Sequence, residues 1–147
     1  MFHYNKLKVL LCCMLCIAPS TLYAAGVTLP SCSVSSIPLN FGIYWGNAPL
    51  NSQTRITTKC TIPTTTRVQM NKGLNSVNFI TRKMAAGQNT INYNLYTNAA
   101  HSRVWGDGTS GTFTLTGNLL TVYASIPTGQ VVKAGTYNDT VVVTIIW

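Results

Sequence analysis

Few side chains in this sequence can do chemistry. Asp107 and Asp139 are the whole carboxylate inventory, the imidazoles are His3 and His101, and the cysteines are Cys12, Cys13, Cys16, Cys32 and Cys60. Glycoside hydrolysis normally needs two carboxylates about 5 to 9.5 Å apart. Asp107 and Asp139 are the one available pair, and nothing in the sequence draws them together. His101 lies in the polar run 98–103 without a local acid, nucleophile or second ligand, so it reads as an exposed loop histidine. Asp107, between Gly106 and Gly108, reads as a turn aspartate bonding its own backbone, and one carboxylate offers too few oxygens for calcium. No catalytic site, metal site or cofactor is expected.

The cysteines divide by position. Lys6 and Lys8, the short apolar stretch 9–18, and Leu22-Tyr23-Ala24 followed by Ala25 and Gly26 make a secretory signal over residues 1–24. Cys12, Cys13 and Cys16 leave with it, and none follows the small residue that a lipid anchor requires. Residues 25–147 then form one domain, too short for two ordinary ones. Its only cysteines are Cys32 and Cys60, and in an exported chain such a pair is most simply one disulfide. Closing a loop of about 29 residues stabilises by up to roughly 3.6 kcal/mol in the loop-entropy picture.

The elements that must carry these groups show period two. Ile56, Thr58 and Cys60 alternate with Arg55, Thr57 and Lys59. The same holds for Val68 and Met70, for Ile91, Tyr93 and Leu95, and for Leu120, Val122, Ala124 and Ile126. Residues 136–147 read as the longest strand. Turn-rich pieces separate the strands: 45–49, 71–73, 106–111 and 127–129. Many short strands, rich in Thr, Val, Ile and Tyr, predict an all-β antiparallel sandwich. The mean hydropathy of +0.21 and the lack of an apolar run near ~18 residues argue against a membrane helix.

Charge is sparse, at 8% of residues. The basic residues left after the signal are scattered: Arg55, Lys59, Arg67, Lys72, Arg82, Lys83, Arg103 and Lys133. Arg55 and Lys59 share a strand face, a small patch able to meet an anionic cell surface, although a solvated face that keeps the protein soluble is the first reading. Nucleic-acid recognition would want a denser stripe with exposed aromatics, so no specific nucleic acid is expected.

Six pieces in order resemble a known family: Cys32 followed by Leu39-Asn40-Phe41-Gly42-Ile43-Tyr44; a strand ending in Cys60-Thr61; Arg82-Lys83-Met84; Ile91-Asn92-Tyr93-Asn94-Leu95-Tyr96; Trp105-Gly106-Asp107-Gly108; and Ala134-Gly135-Thr136-Tyr137-Asn138-Asp139-Thr140-Val141. Together they are similar to the spore coat protein U domain, found in subunits of archaic (Csu-type) chaperone-usher pili and in a secreted spore-coat protein. The resemblance implies an incomplete immunoglobulin-like sandwich lacking its final strand. It also implies a periplasmic chaperone, an outer-membrane usher and neighbouring pilus subunits as partners, and a role at the cell surface in pili, adhesion and biofilm. The alternative is a self-complete secreted spore-coat or matrix protein.

A sandwich one strand short exposes an apolar groove until an extended segment from a partner fills it. The apolar run 141–147 is expected to border that groove, with Val141, Val143, Ile145 and Trp147 on one face and enough apolar character on both to predict deep burial with a neighbour on each side. Val27 and Leu29 are the candidate residues of a short donor segment. The seven residues 25–31 span about 23 Å, which covers a groove with no slack to reach one, so a tip or minor subunit that accepts without donating is expected. Tyr137 resembles the tyrosine corner of sandwiches, whose hydroxyl bonds a loop backbone.

Overall fold

Period-two patterning becomes eight strands in two antiparallel sheets. The computed structural model describes residues 29–147, and among them there is no helix. The larger sheet has the order β1 (Cys32–Ser36), β2 (Leu50–Cys60), β7 (Leu119–Ile126), β5 (Asn89–Tyr96), β4 (Arg82–Ala86). The smaller one places β3 (Arg67–Met70) between β6 (Leu115–Thr116) and β8 (Val143–Ile146). The architecture is an immunoglobulin-like β-sandwich.

Register follows from which face each strand must bury. Ile56 of β2 stands opposite Leu120 of β7, and Leu95 of β5 opposite Ala124 of β7, so the inward residues of three strands form one apolar layer. Val68 and Met70 of β3 supply the facing layer, while Arg67 stays in water. Each fully buried aliphatic side chain contributes about 1.5–3 kcal/mol. Cys32 pairs in register with Cys60, and the two form the expected disulfide, which clamps β1 onto β2 with Cα atoms 4.1 Å apart.

Trp105 joins the layers. It is fully buried, its indole N–H donates to the Val68 carbonyl of β3 (3.1 Å), and its backbone N–H donates to the Leu95 carbonyl of β5 (2.9 Å). Beside it lies Arg82, 0% exposed. Its guanidinium donates to the carbonyls of Asn71 (2.7 Å) and Trp105 (2.7 Å) and to Asn94 Oδ1 (2.6 Å). Burial lowers its pKa from the ordinary arginine value. Arg82 is thus an internal brace, not one of the solvated basic residues the sequence suggested.

The C-terminal part departs from expectation. The longest strand is β2, and of residues 136–147 only Val143–Ile146 form a strand. Among the described residues β8 has one strand neighbour, β3, and Val142 and Ile146 are exposed where deep burial was expected. Residues 136–142 touch a sheet through one bridge, Ala85 with Asn138.

Candidate strand-binding groove

The unpaired stretch before β8 and the stretch after β1 are the walls of an open groove. Residues 36–41 form one wall and residues 137–143 the other, and two contiguous cavities of about 560 and 750 Å³ run between them. The floor is the core itself: Ile56, Met70, Met84, Tyr93, Leu95 and Val122 at one end, with Ile91 and Ile126 towards the other. Each wall is anchored on its outer side. Ser52 and Thr54 hydroxyls of β2 donate to the carbonyls of Asn40 (2.6 Å) and Ile37 (2.7 Å), and Asn71 N–H donates to the Val142 carbonyl (3.0 Å). Pro38 lacks an N–H, and neither wall belongs to a strand on the groove side. Ile37 and Ile43 line the groove yet remain exposed, because none of the described residues covers it.

One carboxylate organises the second wall. Asp139 accepts from the Tyr93 hydroxyl (2.7 Å), from Leu74 N–H (2.9 Å) and from Asn75 Nδ2 (3.0 Å). Burial first, and the Asp139 carboxylate second, hold the Tyr93 hydroxyl far above its ordinary pKa. The fit leaves no room at Gly73, whose φ is +83° and whose missing Cβ would fall on the Asp139 carboxylate.

An open apolar groove in a two-sheet sandwich can be placed by comparison with known proteins. The family model described as Spore Coat Protein U domain matches residues 18–144. The chain belongs to the Spore Coat Protein U domain family. No curated protein matches it. Among solved structures it is similar to a chain of the CsuC-CsuE chaperone-tip adhesion subunit pre-assembly complex from archaic chaperone-usher Csu pili of Acinetobacter baumannii, at 24% identity and a TM-score of 0.56. That match covers 81% of the present chain but 40% of the other, so this Spore Coat Protein U domain spans less than half of its structural neighbour.

Within this Spore Coat Protein U domain, the residues singled out by sequence are only partly brought together. Val141 and Val143 line the groove, and Ile145 is half-buried in β8 opposite Val68. Trp147 does not share their inward face: it is 54% exposed beyond the end of β8, and its indole N–H donates to the Pro30 carbonyl (3.3 Å). Tyr137 lines the groove while its hydroxyl donates to the Lys133 carbonyl (2.8 Å). Leu29 is 78% exposed; Val27 and the signal reading of residues 1–24 lie outside the described residues. The wall of residues 36–41 was missed as a groove element, although Ile37, Leu39, Phe41 and Ile43 do alternate; Pro38 and Gly42 obscured the pattern.

The chemically active residue types stand apart. Asp107 accepts from the N–H and hydroxyl of Thr109 (2.9 and 2.7 Å), which hold its carboxyl below the usual range, and it shares no partner with Asp139. His101 is not the exposed loop residue anticipated: its ring packs edge-on against Tyr96 and Tyr123, and its Nε2 is buried without a partner among the described residues. Among the described residues no three His, Cys, Asp or Glu side chains are grouped for a metal.

Proposed function

We propose that this Spore Coat Protein U domain is a structural or adhesive subunit of a chaperone-usher surface pilus, whose groove takes an extended strand from a periplasmic chaperone and then from a neighbouring subunit. The observation that carries this reading is the groove between residues 36–41 and 137–143, floored by core side chains and walled by two segments with no strand partner on the inner side. An inserted strand would satisfy those backbones and cover Ile37, Leu39, Val141 and Val143, each side chain it buries adding about 1.5–3 kcal/mol. Export by residues 1–24, passage through an outer-membrane usher, surface display, adhesion and biofilm formation belong to the same reading. The role is non-enzymatic. Within it, a tip or minor position accords with Pro30 and Ser31 being tied to their own domain by Trp147 and Thr61, which leaves Val27 and Leu29 as a poor donor segment.

The test is expression of the exported chain in a periplasm with and without a chaperone of this pilus type. Accumulation of a stable one-to-one complex with the chaperone, and loss or aggregation without it, is expected. A soluble, stable monomer in the absence of any partner would instead make it a self-complete secreted coat or matrix protein.

A further inference from the structure

The groove wall is tied on its outer side to a loop that carries three exposed apolar side chains. Residues 71–81 connect β3 to β4, and Leu74, Val77 and Ile80 on this loop are 73%, 87% and 72% exposed. Its first turn is fastened on one side to Arg82, which donates to the Asn71 carbonyl, and on the other to the wall. Leu74 N–H and Asn75 Nδ2 donate to Asp139 Oδ1, Asn75 Nδ2 also donates to the Asn138 carbonyl (3.2 Å), and Asn71 Oδ1 accepts from Val142 N–H (2.9 Å). Asp139 itself lines the groove and is held from the floor by Tyr93.

From this geometry we infer that filling the groove fixes the conformation of the loop's first turn, residues 71–75, so the exposed apolar surface of Leu74 is set only in the complemented subunit. The second half of the loop is held independently by Asn94, whose Nδ2 donates to the Phe79 and Ile80 carbonyls. The inference rests on the strand-accepting reading and goes beyond it. With an empty groove, residues 137–142 have no ladder and are held by the bridge at Asn138, the Tyr93 hydroxyl on Asp139 and the Asn71–Val142 bonds, so they open more readily than the paired strands, and the bonds from the loop to Asp139 or Asn138 open with them. A strand paired along the inner side of this wall suppresses that opening, and the bonds to Leu74 and Asn75 persist. Linkage makes the effect reciprocal: what loosens the loop must weaken strand binding by the same factor.

The experiment uses the exported chain released from denaturant at low concentration in vitro, where aggregation is slow, and a twelve-residue peptide of alternating valine and threonine with a lysine at each end. A rise in Tm with peptide reports groove filling, and no rise overturns the strand-accepting reading itself. Given the rise, amide hydrogen exchange at Leu74 and Asn75 is expected to slow about fivefold or more, while the Thr109–Thr112 turn, which makes no bond to the wall, stays unchanged. A raised Tm with unaltered exchange at Leu74 and Asn75 overturns the coupling and leaves the groove reading standing. Asn75→Ala lies outside the groove and removes two bonds to the wall; it is expected to weaken peptide binding about fivefold, with Val77→Ser in the same loop as the neutral control. Equal affinity of Asn75→Ala and the unsubstituted chain also overturns the coupling.

Discussion

Replacing Arg82 with methionine keeps much of the side-chain volume and removes the guanidinium, so it isolates the brace from the packing. The guanidinium satisfies the carbonyls of Asn71 and Trp105 and the side-chain oxygen of Asn94. Asn94 Oδ1 retains a second donor, the Leu95 N–H, but the two carbonyls lose their charged donor inside a dry core. At about 1–3 kcal/mol for each stranded acceptor, offset in part because a buried charge no longer has to be desolvated, the net loss is about 3 kcal/mol. That is a large share of the roughly 5–15 kcal/mol that holds a domain folded. Urea unfolding of both proteins in the same assembly state should show the midpoint falling with the m-value unchanged. Arg82→Lys, which keeps charge but not the fork, should fall between the two. A loss below about 1 kcal/mol for Arg82→Met would refute the idea that this guanidinium organises the junction of β3, β4, β5 and the groove wall.

Other consequences can be measured independently. A thiol assay on denatured, unreduced residues 25–147 should find no free Cys32 or Cys60, and Cys60→Ser should cost up to about 3.6 kcal/mol in thermal or urea unfolding. Gly73→Ala combines a left-handed backbone with displacement of the Asp139 carboxylate, and a loss of more than about 2 kcal/mol is expected in the same unfolding measurement. Because Tyr93 has a raised pKa in the folded chain, its contribution is complete below about pH 10 and is lost as pH rises beyond it. Stability should therefore decline at alkaline pH, and Tyr93→Phe should flatten that decline. Val141→Asp places a charge in the groove, so it should reduce strand-peptide binding at least tenfold in a titration, measured below the melting transition of the variant.

How much of this was legible depended on which physical term set each feature. The central strands were readable because burial on one face forces alternation: Val68 and Met70, Ile91 to Leu95, and Leu120 to Ile126 all point into the core. β2 runs five residues further back than its apolar alternation suggested, because the inward positions there are Ser52 and Thr54, whose hydroxyls bind the groove wall instead of packing in the core. The apolar run at the C-terminus was visible, but hydropathy records which faces are greasy and not which backbone lies alongside. So residues 136–142 looked like strand although they lack a ladder. Arg82 was named within a motif, yet its burial was hidden: two of its three acceptor residues contribute backbone carbonyls, which have no residue signature. His101 was misplaced for a similar reason, since Tyr96 and Tyr123 meet it only after β5 and β7 pair.

The pairing of β3 with β8 also governs when the domain can finish folding. β3 has only two residues of β6 on one flank, and on the other its partner is Val143–Ile146, so Arg67 waits for Ile146. A growing chain can zip β1, β2, β5 and β7 together earlier, but the smaller sheet has no stable form until Val143–Ile146 are available. Late closure in this fold therefore ties the first moment at which the groove exists to the arrival of Val143–Ile146, because Val143 ends its second wall.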